Sequence, residues 1–408
     1  MTCTKESVSS GPLQGIRILD MATVVAAPFA ATLCGDMGAE VVKLELPEGN
    51  DTLRSLAPVM GKHSLFWKVT NRGKKGITLD VRKPEGRALF LKLLPQFDVL
   101  VENFRTGTLD RWGLDIETLH RHNPGLIVLR LTGFGQTGPY AARPGFARIF
   151  EAMSGFADLT GENGRAPQHM NYPLGDAIAG LFGAFAISTA LAGRKLNEDG
   201  SGPKGCEVDL SATEALFRML DPLAAELQHM GLARTRAGSR ATYTAPSNVY
   251  PTFDGQWVTL VGSSDVTFGR LCTAMGRPEL AVDKRFSANA HRIDNLVLIN
   301  DIVFQWCKSL PLAKLTALLE KNMVPYSKVY TIEDIVLDEQ VKARRGVIQL
   351  PDTELGEVAA PCVVPRMSGF TAAVPRTGPA TGEHNSEIYG WIGMSEVELE
   401  DYRAKAVL

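Results

Sequence analysis

The chain has 408 residues, of which 45% are apolar and 22% are charged, a balance typical of a soluble globular protein with room for two domains. The formal net charge is only −2, so the chain has no basic field to attract nucleic acid or an anionic membrane. Charge-driven binding to either is excluded, and we expect neither nucleic acid nor a membrane as a partner.

The chain shows no pattern that would bind a metal or pair cysteines. Six cysteines are scattered along it without CxxC spacing: Cys3, Cys34, Cys206, Cys272, Cys307 and Cys362. Residues 1–11 are polar and lack the apolar segment of a secretory signal, so reduced thiols in the cytoplasm are the simplest interpretation. His120 and His122 are predicted on the surface, while His63 and His169 remain weak site candidates. We expect no metal and no tightly bound cofactor.

In the first half of the chain, short apolar segments alternate with helical ones. Strands are predicted at residues 15–21, 40–45, 76–80, 98–103, 126–131 and 207–210. Helices are predicted at residues 24–37, 84–94, 116–120 and 212–230, with a further apolar helix beginning near residue 176. This order predicts an α/β fold with a doubly wound parallel sheet, in which a ligand lies at the carboxyl ends of the strands.

The pattern changes after residue 225, where helices dominate. A strand at 257–261 is followed by helices at 266–275, 294–308 and 312–322, which predicts a smaller α+β unit. We therefore divide the chain into a large α/β domain, formed by residues 1–225 with 330–408 returning to it, and a small α+β domain at 226–329. The polar, glycine-rich stretch at 194–205 is predicted as an exposed loop.

One acidic residue stands alone at the start of the most apolar helix. Asp176 follows Pro173 and Gly175, and none of the next eleven residues is charged. Small residues such as Gly180 and Gly183 let another backbone or a ligand approach this helix closely. Asp176 is either a helix cap that satisfies backbone donors, or a carboxylate in a dry pocket, where desolvation makes it a better nucleophile or base.

Two polar loops at strand ends combine cations, an amide and glycine. Residues 71–75 (Asn-Arg-Gly-Lys-Lys) precede the third predicted strand, and residues 103–107 (Asn-Phe-Arg-Thr-Gly) follow the fourth, with Arg111 and Trp112 soon after. This chemistry suits a ligand that carries phosphates and a purine ring. A pair of solvated surface loops has the same composition and stays an alternative.

The segment at 133–138 (Gly-Phe-Gly-Gln-Thr-Gly) has the spacing of dinucleotide-binding loops and follows a strand. Pro139, Arg143 and Pro144 come next, so no helix opens on the last glycine, and a dinucleotide site needs that helix N-terminus. We therefore predict a flexible turn that closes over a ligand. The chain also lacks the motifs of α/β-hydrolases, zinc proteases and P-loop proteins.

Several segments taken together resemble the class III CoA-transferases, a family that includes formyl-CoA:oxalate, carnitine and succinyl-CoA-dependent dicarboxylate CoA-transferases. The segments cover nearly the whole chain in the family's order: Pro12–Asp20, Gly38–Glu45, Asn71–Gly76, Asp98–Arg105, Gly133–Gly135 and Gly382–Ile388. The family's fold is an interlocked homodimer of two ring-like subunits, and the resemblance implies that topology here. It also implies acyl-CoA and a carboxylic acid as substrates.

The resemblance assigns roles to residues that their chemistry already singled out. The family's nucleophilic aspartate lies in a Gly-Asp segment that matches Gly175 and Asp176. The two cationic loops match family positions that hold CoA. The residues that we expect to contact CoA are Val25, Ala26, Asn71, Arg72, Lys74, Asn103, Phe104, Arg105 and Arg111. The four cations in this set are expected on the phosphates, with Phe104 near the nucleotide.

The chain departs from two kinds of family member. Formyl-CoA transferases carry a run of glycines where this chain has residues 240–246 (Arg-Ala-Thr-Tyr-Thr-Ala-Pro), which argues against an oxalate-type substrate. The related acyl-CoA racemases use a histidine in a Gly-His-Asp segment, and the matching residues 145–147 here are Gly-Phe-Ala. Racemisation needs a second proton-transfer group, and this stretch lacks it.

The sequence therefore predicts a CoA-transferase in which Asp176 carries first the acyl group as an anhydride and then CoA as a thioester. Arg148, Arg240 and Tyr243 are expected to meet a distal carboxylate of the substrate, which suits a dicarboxylic acid. Two alternatives stay open: a racemase or epimerase that acts on the carbon next to the thioester, and a CoA-binding protein without chemistry. Loop composition does not encode the identity of the two acids.

Overall fold

The structure is a computed structural model that describes residues 11–49, 51–196 and 204–408, apart from the side chains of residues 195 and 196. Most of the predicted loop at 194–205 lies outside the described residues. The strands are β1 (Arg17–Asp20), β2 (Glu40–Glu45), β3 (Val59–Met60), β4 (His63–Ser64), β5 (Lys75–Thr78), β6 (Val99–Glu102), β7 (Ile127–Thr132), β8 (Cys206–Ser211), β9 (Ser247–Pro251), β10 (Trp257–Val261), β11 (Tyr326–Lys328), β12 (Val347–Asp352) and β13 (Gly356–Pro361).

The helices alternate with the strands of the first half and dominate the later part of the chain. They are α1 (Ala26–Asp36), α2 (Leu65–Thr70), α3 (Pro84–Leu93), α4 (Thr108–Arg111), α5 (Ile116–His122), α6 (Ala147–Met153), α7 (Leu174–Leu196), α8 (Ala212–Arg218), α9 (Leu223–Met230), α10 (Asp265–Ala274), α11 (Asn289–Asp294), α12 (Leu296–Lys308), α13 (Leu312–Lys321), α14 (Ile332–Leu337), α15 (Glu339–Ala343), α16 (Asn385–Gly390) and α17 (Glu396–Ala404). The helix predicted at 212–230 is two helices, because Pro222 interrupts it.

Six parallel strands form one sheet in the order β5-β2-β1-β6-β7-β8. The chain moves outward from β1 in one direction, returns, and continues in the other, which is the doubly wound topology that the alternation of elements predicts. In the register, Asp20 at the end of β1 is opposite Lys43 on one neighbour and Val101 on the other. The predicted α/β class with a large parallel sheet is confirmed.

Alternate residues of each strand enter two different cores. Ile18, Val41 and Val99 pack under α1 and α7 on one face of the sheet. Leu19 and Val42 pack on the other face, in the core that includes α3, α16 and α17. Because both faces are covered, the central strands are almost wholly apolar, as is typical of parallel sheets.

The chain divides into two compact units. The first contains residues 1–156, 170–222 and 345–408, and the second contains 157–169 and 223–344. These boundaries differ from the predicted ones at residues 157–169, 223–225 and 330–344. Residues 157–169 join the second unit, where Arg236 donates to the carbonyl of Arg165 at 3.0 Å. Residues 330–344 also stay there, since Lys328 pairs with Asp334 at 2.7 Å.

The second unit has a core of its own between a small antiparallel sheet and its helices. The sheet has the order β11-β10-β9. Tyr250, Val258 and Leu260 from these strands pack with Leu271 and Val303 from the helices. The helices and the sheet together are the α+β arrangement that the sequence predicts for this part of the chain.

By length and composition, residues Leu174–Arg194 of α7 are able to span a membrane, and α12 with α13 satisfy the same criterion only as a pair bent by 120°. Core helices of globular proteins also meet this criterion. α7 packs against α1, α8, β7 and β8 in the first unit.

Candidate active site

The solitary acidic residue lies in the first turn of α7. The helix begins at Leu174, so Asp176 is its third residue rather than its cap. The Asp176 side chain is partly buried, and in the described part of the chain its carboxylate makes no hydrogen bond or ion pair. The capping interpretation is therefore wrong, because no backbone donor is bonded to this carboxylate.

A second carboxylate lies beside the first. Glu151, on α6, is only 3% exposed and accepts a hydrogen bond of 2.9 Å from the backbone N–H of Gly175. Burial, and after it the charge of Glu151, raises the pKa of Asp176 to about 7. The Asp176 anion is therefore poorly stabilised, which makes a carboxylate reactive as a nucleophile or base near neutral pH.

Glycine lets α7 lie directly on α1. A Cβ atom at Gly180 would be only 2.6 Å from the carbonyl oxygen of Ala26, so the position accepts no larger residue. Residue 176 is one helical turn before Gly180 and shares its face. The start of α7 therefore lies beside the start of α1, where the predicted ligand residues Val25 and Ala26 are found.

That turn is strained and firmly anchored. Val24 has a φ of 67°, a left-handed conformation that is unfavourable for a β-branched side chain, and its N–H donates to Oδ1 of Asp51 at 3.0 Å. The Asn103 side chain accepts from the N–H of Thr23 and donates to its carbonyl, each at 2.8 Å. Backbone strain persists where the surroundings over-determine it, and such places are often binding sites.

The loop after β6 presents cations and aromatic rings at the same end of the sheet. Phe104 packs edge-on against Trp112, with ring centroids 5.0 Å apart. Arg111 is exposed and donates to Oγ1 of Thr108 at 2.8 Å. The exposed Arg105 side chain has no bonding partner among the described residues. Both guanidinium groups are therefore accessible to an anionic ligand.

A sequence profile of CoA-transferase family III matches residues 13–385. The chain belongs to this family and is a CoA-transferase. It is 38% identical to the succinyl-CoA–D-citramalate CoA-transferase of Chloroflexus aurantiacus, over 97% of this chain and 98% of that protein. It is 34% identical to the succinate–glutarate CoA-transferase of Agrobacterium fabrum, over 92% of this chain and 94% of that protein. A crystal structure of a CAIB/BAIF family protein from Brucella suis has a TM-score of 0.81, at 32% identity, and covers 94% of this chain and 100% of its own.

The transferase does not present the loop at 71–75 as predicted. Asn71 is fully buried, and Arg72 donates to both carboxylate oxygens of Asp36, at 3.1 and 2.5 Å. The Lys74 ammonium lies 2.7 Å from the carboxylate of Asp20 and is 4% exposed. Burial lowers the pKa of Lys74 to about 8. In this chain the three polar groups are buried and the two cations pair with carboxylates, so the loop offers no free cation to a phosphate, and the CoA contacts of Asn71, Arg72 and Lys74 stay a prediction.

A cavity of about 920 Å³ adjoins this loop, with Arg72 and Lys74 in its wall. Its other charged groups are also paired, since Lys68 lies 2.7 Å from Asp352 and 3.0 Å from Glu354. The residues that line it do not include those described around Asp176. The cavity is therefore separate from the candidate active site.

The three predicted substrate residues lie in different units. Arg148 is exposed on α6, one turn before Glu151. Arg240 is in the second unit and is partly buried, and its Nε is buried without a hydrogen-bond partner. Tyr243, also in the second unit, is 63% exposed, and the guanidinium of Arg234 lies 5.1 Å from its ring centroid.

Two residues near Asp176 were not predicted as site residues. Glu151 lies three positions after the predicted Arg148, on the same face of one helix, and that spacing was the available signal. Tyr172 stacks on Phe66 with ring centroids 6.2 Å apart. Burial, and after it the charge of Asp176, raises the pKa of Tyr172. Tyr172 belongs to the segment that leads into α7, so its closeness to Asp176 follows from sequence proximity.

The remaining histidine candidates have structural partners. His63 Nδ1 lies 2.9 Å from a carboxylate oxygen of Glu354, and His120 Nε2 lies 3.0 Å from the carbonyl oxygen of Leu126. In the described part of the chain, His, Cys, Asp and Glu side chains form no group of three that would hold a metal. His169 belongs to residues 157–169 of the second unit.

Proposed function

We propose that this transferase moves CoA from an acyl-CoA to a dicarboxylic acid, with Asp176 as the residue that becomes acylated. The observation that carries the proposal is the Asp176 carboxylate itself, partly buried, without a bonding partner in the described residues, and with its pKa raised to about 7. The names of its relatives specify succinyl-CoA, succinate, citramalate and glutarate, which supports a dicarboxylic acid as one substrate.

The reaction begins when a carboxylate oxygen of Asp176 attacks the thioester carbonyl of the donor. The carbon–sulfur bond breaks, which leaves a mixed anhydride and CoA thiolate. The thiolate then attacks the Asp176 carbonyl carbon, releases the donor acid and forms an aspartyl-CoA thioester. The acceptor carboxylate reverses both steps: it expels the thiolate to form a second anhydride, and the thiolate attacks the acceptor carbonyl, which yields the new acyl-CoA and free Asp176.

Each chemical step requires a site that holds negative charge and excludes water, because water hydrolyses an anhydride. The first turn of a helix leaves backbone N–H groups without intrahelical partners, and such groups stabilise oxyanions. Asp176 lies in such a turn, on a helix whose following residues are apolar. This position supports the role of nucleophile better than that of a surface acid.

The proposed CoA site is the end of the sheet where β1 and β6 terminate. Asn103 binds the turn that precedes Val25 and Ala26, and Phe104, Arg105 and Arg111 follow from the same strand. The two accessible guanidinium groups supply charge for the phosphates, and the ring of Phe104 supplies a surface for the nucleotide base. CoA bound there would place its thioester near the N-terminus of α7.

For the acid substrate we propose Arg148, Arg240 and Tyr243 as contacts of the distal carboxylate. The exposed guanidinium of Arg148 is on the helix that also carries Glu151. The buried, unpartnered Nε of Arg240 supports a role in binding an anion, since a buried donor without a partner is costly. Replacing Arg240 by Ala is expected to raise the KM for a dicarboxylic acceptor and to leave that for a monocarboxylic one unchanged.

We further propose that the transferase is a cytoplasmic homodimer with the interlocked topology of its family. Large apolar side chains on α7 support an interface, since Leu181 is 59% and Phe185 is 66% exposed in the single chain. Light scattering coupled to size-exclusion chromatography tests this: we expect twice the mass of the chain. A monomer at micromolar concentration would contradict it.

The function is tested with a panel of acyl-CoA donors, succinyl-CoA among them, against citramalate, malate, glutarate and monocarboxylic acids. Chromatography of the CoA products identifies the pair with the highest kcat/KM. We expect Asp176→Ala to lose transfer by at least about a thousandfold while it keeps the Kd for CoA. Undiminished turnover in that variant would exclude Asp176 as the nucleophile.

A further inference from the structure

Glu151 is a buried acid that the reaction scheme above does not use. It is 3% exposed, and it faces the first turn of α7, where a Cβ atom at Gly175 would lie 3.1 Å from its Cγ. One carboxylate oxygen accepts from the N–H of Gly175 at 2.9 Å. A neutral Gln would make the same bond to Gly175, so this bond does not itself require the charge of Glu151.

The effect of the Glu151 charge depends on whether the Asp176 side chain is charged at each stage of the transfer. In the free enzyme, Glu151 and Asp176 are two adjacent carboxylates in a partly desolvated place, where like charges repel strongly. In the anhydride and in the aspartyl-CoA thioester, the Asp176 side chain carries no charge. The negative charge then resides on the released acid, which is free to enter water.

We propose that Glu151 is a positioning residue that shifts Asp176 toward its covalent states by charge repulsion. The balanced step is Asp176–COO⁻ plus acyl–S–CoA giving Asp176–CO–S–CoA plus the free carboxylate. One negative charge leaves the neighbourhood of Glu151 in this step, so the repulsion that destabilises the free enzyme is absent from the intermediate. Glu151 also holds the N-terminus of α7 through Gly175, which orients the nucleophile.

Other ionisable groups at this position are few. In the described residues, the titratable side chains that interact with Asp176 are Glu151 on α6 and Tyr172 before α7. Tyr172 is neutral near pH 7, and burial raises its pKa further. Glu151 is therefore the charged group that acts on Asp176, and Glu151→Asp is the matched variant that keeps this charge.

The inference rests on the proposed function and is tested with Glu151→Gln, Glu151→Asp and the control Glu117→Gln. Glu117 is an exposed acid on α5 that pairs with Arg121, so its loss does not affect the site. Each full-length variant is mixed with equal concentrations of succinyl-CoA and succinate, quenched in acid and analysed by intact mass. The measured quantity is the ratio of aspartyl-CoA enzyme to free enzyme.

We expect Glu151→Gln to lower this ratio about tenfold, the equivalent of one pKa unit, and to move the acidic limb of the pH–kcat/KM profile to lower pH. Glu151→Asp keeps the charge and is expected to stay within about threefold of the wild type in this ratio, with a lower kcat. Glu117→Gln should match the wild type in both measurements.

An unchanged ratio and an unchanged pH profile in Glu151→Gln would overturn the inference while the proposed function stands. Equal losses in Glu151→Gln and Glu151→Asp would also overturn it, because the effect would then come from geometry and not from charge. If the wild-type enzyme forms no adduct on Asp176, both the proposed function and this inference are wrong.

Discussion

The two cationic loops of the large unit have nearly the same composition but differ in how far their basic side chains are exposed. Residues 71–75 and 103–107 each combine an asparagine, a glycine and basic side chains. In the first loop, the guanidinium of Arg72 is buried against Asp36. In the second, Arg105 and the nearby Arg111 are exposed, while Asn103 holds the turn at Thr23 by hydrogen bonds.

The direction of the strands explains the difference. The first loop precedes β5 and enters that strand at its amino end, while the second follows β6 and lies at the carboxyl end of its strand. Ligands of doubly wound sheets bind at the carboxyl ends. A basic loop in such a fold is thus a ligand site or a structural element according to which end of its strand it joins.

The largest effect that this contrast predicts is on stability. Arg72→Ala removes the partner of a buried carboxylate, and leaving one member of a buried pair uncompensated costs about 3–5 kcal/mol. We expect the free energy of unfolding, measured with denaturant, to fall by that amount. The matched control is Arg105→Ala in the other loop, which should change stability by less than about 0.5 kcal/mol. Equal stability losses in the two variants would refute the assignment of separate roles.

A second prediction concerns Asp176, which, unlike Asp20 and Asp36, has no ion-pair partner among the described residues. The pKa of Asp176 is about 7 in the folded protein, against an ordinary value of 3.8 for an aspartate in an unfolded chain. The folded state therefore holds this proton more tightly than the unfolded state does. Its contribution to stability is therefore lost as the pH rises from about 4 to about 7. Asp176→Asn stays neutral throughout.

We expect Asp176→Asn to be more stable than the wild type at pH 8 by at least about 1.4 kcal/mol, the value of one pKa unit, and equally stable near pH 4. Unfolding curves at the two pH values measure both quantities. A constant difference between the variant and the wild type across this range would show that the carboxylate ionises normally in the fold.

The accessible loop is expected to govern CoA affinity. The change Arg111→Ala removes a charge-assisted contact with phosphate, and we expect a KM for CoA substrates about tenfold higher, with kcat nearly unchanged and unfolding unaffected. Arg111→Lys should recover part of the affinity. The effect should shrink as the salt concentration rises, since exposed charges are screened. A loss of stability with no change in KM would place Arg111 with Arg72 as a structural cation.

The smallest expected effect is that of Asn103, whose side-chain amide holds the turn before Val25. Asn103→Ala removes two hydrogen bonds to Thr23, and each such bond contributes about 1 kcal/mol to stability. We expect a modest loss of stability together with a higher KM for CoA, because the turn before Val25 is no longer held. Asn103→Asp keeps the acceptor and loses the donor, so its stability and its KM for CoA should lie between those of the wild type and of Asn103→Ala.

The periodicity of the sequence was sufficient for the six strands of the parallel sheet and for the α/β class of the first unit. It was not sufficient to assign the basic residues, because residue type does not show which carboxylate a cation will meet. Lys74 reaches Asp20 over a separation of 54 positions, and no local pattern encodes that contact. Glu151 and Asp176 are 25 positions apart and meet only because α6 lies across the start of α7.

The central claim, that Asp176 carries the acyl group and then CoA, has one direct measurement. The transferase is incubated with succinyl-CoA alone, quenched, digested and analysed by mass spectrometry of the peptide that contains residue 176. We expect the mass of CoA less one water on Asp176, its loss after hydroxylamine treatment, and its absence in Asp176→Asn. An unmodified peptide from an enzyme that still transfers CoA, or the same adduct on another residue, would contradict the claim.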